Sequence, residues 1–529
     1  MGRYAPLVTY AVQSKGPVLS GLMLDNAPAP LSAYLHRKGY KPVIFDYNTV
    51  KTIERISKNG KEGFLRETTQ ELDDFIKSKN VKVIGFKLYT NGFADSVRIA
   101  KELKEKNPKL TTIAGGPQVN WYRELIFEYP HARQAFDILV EGYIDGRIAD
   151  LFDNLYERKG SPPLHEIPNL IYLQNGEVKR TGRLDSEIND LLFPLYDEEV
   201  YLDVEEKVMI PVVEDSRGCK WSKCPFCMHP RIAGKYRERD VERLAEEIEH
   251  NRRRYGFRVS RLSGPSPSGE YINKLVEYLP EDCRISAFGN AEGGYDYEKI
   301  RDKVIAIFLG IETANKEFLE NHYLLWKTNN AEEYLSSIKE IVVNLKKRGI
   351  ATTATMIVPV PGETSETMER SLNFLYETSP DFVPVLPLVP IDDSPLARNV
   401  LNGKVKGMKI DLNYKEKMMA LDLDLLQPVD MWPVPPFHVE VDGKWIEDPS
   451  KITGEFIGKL GERGMYPLSD DMVLMAYLLY DGLDHDQTIR RRQCLDFFLE
   501  TMEDLKNGNH HAIRERVSKI NKNQRRVRI

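Results

Sequence analysis

The 529-residue sequence predicts an α/β protein with a doubly wound parallel sheet, then a partial (βα)6 TIM-like barrel, then a mostly helical C-terminal region. Short apolar segments rich in β-branched residues alternate with helix-like segments through two long stretches, and most of the apolar segments end in small residues. Beyond residue 400 this alternation is lost. We therefore expect domain boundaries at 1–160, 161–210 (a linker), 211–400 and 401–529.

The N-terminal domain is predicted from four apolar strands interleaved with helices. The predicted strands are 41–47, 81–89, 109–116 and 136–142, and the two clearest helices are 31–40 and 93–107. Fully apolar strands joined by helices indicate a parallel, Rossmann-like sheet covered on both faces. Such a sheet binds ligands at the carboxyl ends of its strands. Thr90, Gly115-Gly116 and Gly142 lie at these ends and would let a bulky ligand approach closely.

The middle of the chain repeats the alternation after a segment rich in proline and acidic residues over 161–210, which is typical of a linker. With one strand expected before Cys219, the alternation makes about six βα units, which predicts a partial or full barrel with its chemistry at the strand carboxyl ends. The predicted strands are 257–263, 284–290, 304–312, 351–362 and 382–390, and the predicted helices are 241–256, 271–279, 334–349 and 368–378.

The C-terminal region, 401–529, contains two helix-like segments at 471–483 and 490–508. Its aromatic residues Trp432, Phe437 and Trp445 lie among prolines; we expect them in the core rather than in a binding site. The last 18 residues are strongly basic. A solvated helix is the preferred interpretation, and contact with an acidic partner or a membrane surface is the alternative.

Composition narrows the functional classes. Lys plus Arg number 74 and Asp plus Glu number 80, so the net charge of −6 argues against a surface devoted to nucleic acid. No apolar run approaches the ~18–20 residues of a membrane helix, and the N-terminus lacks a signal-peptide core. We expect a soluble cytoplasmic protein, for which peripheral membrane contact with a lipid substrate stays open.

The five cysteines are distributed unevenly. Three of them, Cys219, Cys224 and Cys227, fall within nine residues as C-x4-C-x2-C, and the first 218 residues contain none. This pattern favours a reducing compartment and one local metal site. Either an iron–sulfur cluster or a Cys3His zinc site with His229 fits the spacing. The cluster is favoured because the loop begins a long βα series, whereas Cys283 and Cys494 are expected to be buried packing residues.

The segment SRGCKWSKCPFC at 216–227 resembles the cysteine loop of the radical S-adenosylmethionine (SAM) superfamily, and residues 20–400 resemble its cobalamin-binding branch. The first gap is one residue longer than the family's usual C-x3-C-x2-C. The resemblance implies that the three cysteines hold three irons of a [4Fe–4S] cluster, with SAM on the fourth iron. The residues implied to contact SAM are Phe226 near the adenine, Ser263 at the second strand end, Glu312 in LGIET, and Val358 in MIVPVPGET. The segment VPIDDSPLA at 389–397 resembles a further strand end of the family.

The N-terminal domain resembles the family's cobalamin module more loosely. The matching segments are 31–46, IGFKLYT at 84–90, GGPQVN at 115–120 and EGYI at 141–144. The resemblance implies that cobalamin is bound by Thr90, Gly115, Gly116, Pro117, Glu141 and Gly142. The domain has no D-x-H-x-x-G stretch, so cobalamin is expected to bind without its base or a histidine on cobalt. An empty domain that only packs is the alternative.

The resemblance implies a cobalamin-dependent methyltransferase that forms a 5′-deoxyadenosyl radical, removes a hydrogen atom from an unactivated carbon and transfers a methyl group from methylcobalamin. Cyclisation, rearrangement or carbon–carbon coupling without methyl transfer is the alternative. A zinc-stabilised binding protein is the third. The implied partners are a small-molecule, lipid or peptide substrate and an electron donor such as flavodoxin or ferredoxin, with no specific nucleic acid. The sequence indicates neither the substrate, a catalytic side chain nor the oligomeric state.

Overall fold

The computed structural model describes residues 2–10, 19–89, 92–157, 162–184, 187–420 and 435–525. The chain forms two compact units. The first comprises Met1–Met209, Asn413–Met431 and Asp504–Ser518, and the second comprises Ile210–Leu412, Trp432–Glu503 and Lys519–Ile529. Residues 161–209 therefore pack with the N-terminal domain, and residues beyond 400 are shared between the two units.

The first unit contains a seven-stranded sheet in the order β2-β1-β3-β4-β5-β6-β7, of which the first five strands in chain order are parallel. This confirms the predicted doubly wound sheet, whose five parallel strands are almost entirely buried. The strands are β1 (Arg3–Tyr10), β2 (Tyr40–Asp46), β3 (Val83–Leu88), β4 (Thr111–Gly115), β5 (Ile138–Val140), β6 (Leu170–Gln174) and β7 (Glu177–Arg180).

Two parts of this sheet were not predicted. Strand β1 contains Pro6, which weakens the strand pattern in the sequence. Because β3 pairs with β1 only from Leu7 onward, the missing N–H of Pro6 removes no hydrogen bond to β3. Strands β6 and β7 lie within the segment predicted as a linker. They form an antiparallel hairpin around Asn175-Gly176, both with positive φ, and extend the sheet beyond β5.

Helices of the first unit begin and end at the residues that local chemistry favours. Pro28 starts α1 at a position where a helical N–H has no partner, and the Thr49 side chain accepts from the N–H of Thr52 at the start of α2. The helices are α1 (Pro28–Arg37), α2 (Val50–Lys79), α3 (Phe93–Lys106), α4 (Pro117–Tyr122), α5 (Pro130–Ala135) and α6 (Arg147–Glu157).

The second unit contains six parallel strands in the order β15-β14-β13-β12-β11-β8, as the six predicted βα units require. A small antiparallel pair, β9 and β10, flanks the cysteine loop. The strands are β8 (Val212–Val213), β9 (Ser216–Arg217), β10 (Arg237–Glu238), β11 (Val259–Leu262), β12 (Arg284–Gly289), β13 (Val304–Glu312), β14 (Ala351–Ile357) and β15 (Val385–Leu386).

Helices pack on one side of these strands and form the main core of the second unit. Alternate strand residues such as Ile307, Leu309 and Ile311 share this core with Leu244, Ile272 and Ile338 of the helices. The helices are α7 (His229–Ala233), α8 (Val241–Tyr255), α9 (Gly269–Tyr278), α10 (Tyr297–Ile300), α11 (Lys316–Glu320), α12 (Ala331–Lys347), α13 (Ser365–Thr378) and α14 (Pro395–Leu401).

The C-terminal region is mostly helical, as predicted, and adds a three-stranded antiparallel sheet in the order β16-β17-β18. Phe437 is buried as expected, Trp445 is 47% exposed and so is not a core residue, and Trp432 lies outside the described residues. The elements are β16 (Met408–Ile410), α15 (Leu412–Ala420), β17 (Phe437–Val441), β18 (Lys444–Ile446), α16 (Pro449–Gly461), α17 (Asp470–Tyr480), α18 (Gln487–Asn507) and α19 (His510–Gln524). Among the helices described, none combines the length and apolar character that a bilayer crossing needs.

Candidate active site

The three cysteines lie on the loop between β9 and α7, at the start of the barrel. Gly218 has φ +77°, and a Cβ there would lie 2.7 Å from backbone atoms of Lys235 and Tyr236, so only glycine fits. The N–H of Cys227 donates to the carbonyl of Cys224 over 3.1 Å, which closes the turn. All three thiols are half-buried and none forms a disulfide.

The cysteine thiols affect one another electrostatically. Burial raises the pKa of Cys224 to about 12, and negative charge on Cys227 or Cys219 would raise it further. Burial also raises the pKa of Cys227. In the described ranges, no three His, Cys, Asp or Glu side chains are gathered closely enough to hold a single metal ion. The imidazole of His229 is partly buried and bonds to the backbone of Gly218.

A lysine that sequence reasoning missed lies beside these thiols. Lys327 lowers the pKa of Cys224 and Cys227, and its ammonium Nζ lies 2.8 Å from Oε1 of Glu312. Burial, the largest single influence, would lower the pKa of Lys327, but Glu312, Tyr334 and Cys224 together outweigh it and raise the pKa well above the ordinary value. No motif marks Lys327 in the sequence. Its position follows from the loop after α11, where its N–H donates to Leu319.

Glu312 stands at the carboxyl end of β13, where the resemblance predicted it. Its φ is +70°, and the register between β13 and β14 shifts at this point. The residue is 8% exposed, so its carboxylate is held in a largely dry environment with the Lys327 ammonium as its partner. An ordinary exposed strand end would show neither the positive φ nor a buried ion pair.

The other residues expected to contact SAM lie at neighbouring strand ends. Phe226 packs against an apolar cluster that includes Ile357 and Val360, so the cysteine loop meets the segment that carries Val358. The N–H of Val358 donates to the carbonyl of Leu386 over 2.9 Å. Ser263 follows β11 and donates its N–H to the carbonyl of Val213 over 3.0 Å.

The segment 389–397 also reaches this end of the barrel. The N–H of Leu396 donates to the carbonyl of Pro225, over 2.9 Å, directly beside Phe226 and Cys224. The side chain of Ser394 accepts from the N–H of Ala397 and caps α14, which fixes the strand end against the cysteine loop. The segments that carry Glu312, Val358 and Leu396 are distant from the cysteines in the sequence, but they lie beside the cysteine loop in the fold.

An acidic pair from the C-terminal region faces the second strand end. Arg261, on β11, belongs to the second strand end, whose residues 261–264 include no acid, and it forms an ion pair with Asp470 at the start of α17. The neighbouring carboxylate, Asp471, lies 3.8 Å from the Arg261 guanidinium. Burial, followed by repulsion from Asp470, raises the pKa of Asp471 to about 6. The acid absent from the strand end is thus supplied by a helix about 200 residues later, which no local pattern could reveal.

Glu363 of the PGET segment is a buried carboxyl group with an incomplete hydrogen-bond set. Its Oε2 accepts from the N–H of Val360 over 2.8 Å, while Oε1 is buried and has no partner among the described residues. Burial raises its pKa to about 8. The next residue, Thr364, caps α13 by accepting from the N–H of Thr367.

We expect Glu363→Gln to alter the pH dependence of stability. The folded protein retains the proton of Glu363 to about pH 8, whereas the unfolded chain loses it near 4.5, so this group's stabilising contribution declines between those values. Between these pH values the free energy of unfolding falls by about 1.4 kcal/mol per pH unit. Glutamine does not titrate, so the variant loses this dependence. Thermal unfolding from pH 5 to 8 should show a flatter curve for the variant. Exposed Glu366→Gln is the control, and equal slopes in both variants would refute this assignment.

The strand ends of the first unit hold most of the residues expected to bind cobalamin. Gly116, between β4 and α4, has φ +95°, and a Cβ there would lie 2.8 Å from Lys87. Gly115, Gly116, Pro117 and Gly142 are all half-buried, so this edge remains open to a ligand. The N–H of Gly142 donates to Oδ1 of Asn120 over 2.6 Å, which joins the two loops. Thr90 lies outside the described residues.

Glu141 is held by two arginines. Its carboxylate lies 2.6 Å from the guanidinium of Arg123 and also pairs with Arg180 on β7. The residue is 8% exposed. Its carboxylate therefore anchors the hairpin β6–β7 to the end of β5, and its N–H donates to the carbonyl of Asn169 over 2.9 Å.

A second buried charge cluster lies between β1 and β3, where the strand order of the sheet reverses. The Lys87 ammonium lies 2.6 Å from Oδ1 of Asp25, and Tyr89 and Thr9 donate to its other oxygen. Burial, the largest single influence, would raise the pKa of Asp25, but Lys87 together with the hydrogen bonds from Thr9 and the N–H of Ala27 outweighs it and lowers the pKa. Ligands of doubly wound sheets bind at this reversal point.

Comparison with known proteins agrees with this geometry. The family model of the Radical SAM superfamily matches residues 213–375, so this part of the chain is a radical SAM domain. An uncharacterized methyltransferase of Pyrococcus horikoshii is 25% identical over 60% of this chain and 68% of that protein. The anaerobic magnesium-protoporphyrin IX monomethyl ester cyclase of Rubrivivax gelatinosus is 23% identical over 67% of this chain and 62% of its own length.

Among solved structures, the radical SAM methyltransferase TsrM of Kitasatospora setae, with cobalamin and a [4Fe–4S] cluster bound, superposes with a TM-score of 0.63. The superposition covers 96% of this chain and 100% of that one at 14% identity, so it shows a shared fold. The fold in question joins a doubly wound parallel sheet, a radical SAM domain and a helical C-terminal region.

Proposed function

We propose that this radical SAM domain works with cobalamin in the first unit to methylate an unactivated carbon of a small-molecule, lipid or peptide substrate. The observation that carries the proposal is the grouping of the cysteine loop, the Glu312–Lys327 pair and the Phe226–Val358 contact region at one end of the barrel. The methyltransferase relative and the TsrM fold support the same assignment.

The residues on the cysteine loop fit an iron–sulfur cluster. Three free thiols lie on one loop, and the buried Lys327 cation favours their ionised forms, which are the forms that bind iron. Cys219, Cys224 and Cys227 would each hold one iron, leaving one iron for SAM. When bound, the cluster and cobalamin supply the electron that cleaves SAM and the methyl group that is transferred.

The protein's own part in SAM binding follows from charge and shape. The Glu312 carboxylate, fixed by Lys327, offers an acceptor for hydroxyl or ammonium groups of SAM at the end of β13. Phe226 and the backbone around Val358 provide an apolar surface for the adenine. Because these groups are preorganised and largely dry, they orient SAM and exclude water from the reacting carbon.

The edge of the first unit fits a flat, bulky cofactor. Its half-buried glycine turns at Gly115-Gly116 and Gly142 present backbone without side chains, and the Asn120 bond holds the two turns in place. These residues would contact cobalamin, with Pro117 and the Glu141 backbone beside them. The Lys87–Asp25 ion pair lies at the same edge, so these two side chains present no net charge to a neutral ring system.

The second candidate retains the radical start without methyl transfer. Its support is the cyclase of Rubrivivax gelatinosus, which aligns with two thirds of this chain. A zinc-stabilised binding protein is the third candidate, in which His229 would join the three cysteines.

Product analysis separates the three candidates. The full chain is reconstituted anaerobically with iron, sulfide and cobalamin, reduced with dithionite, and incubated with SAM labelled in its methyl group and with candidate metabolite extracts. Methyl transfer predicts S-adenosylhomocysteine together with 5′-deoxyadenosine, and label in a new product. 5′-Deoxyadenosine alone would favour the second candidate. Zinc without sulfide, and no SAM cleavage, would favour the third.

A further inference from the structure

We propose that the partly exposed surface formed by Trp221, Lys223, His322 and Trp326, here called the indole–lysine patch, is the docking site of an acidic one-electron donor protein. The inference rests on the proposed function, since it assigns a partner to the cysteine loop. The patch combines direct contact with a cysteine ligand, a lysine ammonium that has no ion pair among the described residues, and two half-exposed indoles.

The patch touches the candidate cluster through a single residue. The carbonyl of Trp326 accepts from the thiol of Cys224 over 3.8 Å and from the indole N–H of Trp221 over 2.6 Å. The two indoles pack edge to face with centroids 6.4 Å apart. His322 stacks on Trp326 at 4.2 Å on the outer side. The residue that contacts the Cys224 thiol through its carbonyl therefore also carries one of the two indoles of the patch.

The charge of the patch is positive and uncompensated. The Lys223 ammonium lies 4.5 Å from the Trp221 ring and 5.2 Å from the Trp326 ring, and no described carboxylate is within ion-pair distance of it. Lys220, on the same loop, has only a distant partner in Glu238 at 3.7 Å. Between Cys219 and Cys227 the loop carries Lys220 and Lys223 and no Asp or Glu, although the whole chain has a net charge of −6.

This combination favours an acidic protein over other occupants. Aromatic residues are enriched at the centres of protein interfaces, and unpaired surface charge steers an oppositely charged partner to its site. Redox partners form small, transient interfaces below about 1,200 Å², which a patch of this kind can supply. One electron passes from the reduced carrier of the donor to the cluster, so the donor is oxidised by one electron and the cluster is reduced by one.

Charge reversal at Lys223 tests the proposal. Reduced flavodoxin and dithionite serve as alternative electron sources for SAM cleavage by the reconstituted full chain. Lys223→Glu should lower the flavodoxin-driven second-order rate roughly tenfold at low ionic strength, and the deficit should shrink as salt is added. The flavodoxin-driven rate is divided by the dithionite-driven rate and corrected for iron content, so that any effect of the substitution on the cluster itself is removed from the comparison.

Two further variants keep the result interpretable. Lys220→Glu, on the same loop, should reproduce the deficit, and Lys347→Glu, exposed on α12, should not. Equal losses with flavodoxin and dithionite, or an equal loss in Lys347→Glu, would overturn the docking site while leaving the proposed function intact. Absence of SAM cleavage by the unaltered protein with dithionite would instead reject the proposed function.

Discussion

Cys224→Ala is expected to abolish SAM cleavage and to reduce bound iron and sulfide sharply. Each of the three thiolates would hold a different iron, so removing one would leave that iron without a protein ligand. Cys224 is also the thiol bonded to Trp326, and Lys327 counteracts the rise that burial causes in its pKa, which places it at the centre of the candidate site. Iron and sulfide assays, absorbance near 400 nm and 5′-deoxyadenosine yield measure the effect.

The matched control is Cys283→Ala. Cys283 is fully buried among Leu275, Ile285 and other core residues, and it contributes packing alone. The variant should keep iron, sulfide and SAM cleavage and show only a small loss of stability. Full iron and sulfide content in Cys224→Ala, or their loss in Cys283→Ala, would refute the assignment of the cysteine loop.

Arg490→Met is expected to destabilise the second unit by about 3–5 kcal/mol, because it leaves a buried carboxylate without its cation. The Arg490 guanidinium and the Asp381 carboxylate are both fully buried and 2.9 Å apart. Asp381 also accepts from the N–H and hydroxyl of Thr352 on β14. The pair therefore ties α18 to a central barrel strand. Denaturant unfolding of the full chain measures the loss.

Arg492→Met on the same helix is the control. Its side chain is 81% exposed and its ion pair with Asp496 spans 3.4 Å, so the expected change is below about 0.5 kcal/mol. Adding Asp381→Asn to Arg490→Met should restore part of the stability, because the uncompensated charge is removed. Equal effects of the two arginine variants would contradict the burial argument.

Much of the architecture was predictable because its signals are local. Apolar runs of strand length that alternate with helical spacing predicted parallel strands in both sheets. The predicted number of six barrel strands is also correct. Strand β1 was missed because Pro6 interrupts its pattern, and β6–β7 because a short, half-exposed hairpin such as Glu177–Arg180 reads as polar linker. Trp445 was expected in the core, yet its aromatic character alone does not decide burial.

The sequence by itself determined the cysteine spacing, the strand-end glycines and the order of the segments that follow the loop, since each depends on neighbouring residues. Only the tertiary structure decided which charges meet: Lys327 with Glu312, Arg261 with Asp470, and Lys87 with Asp25. Ion pairs of this kind join residues distant in sequence, and their partners are selected by how strands and helices pack. No local pattern carries that information, and it is these pairs that fix the electrostatics of the candidate site.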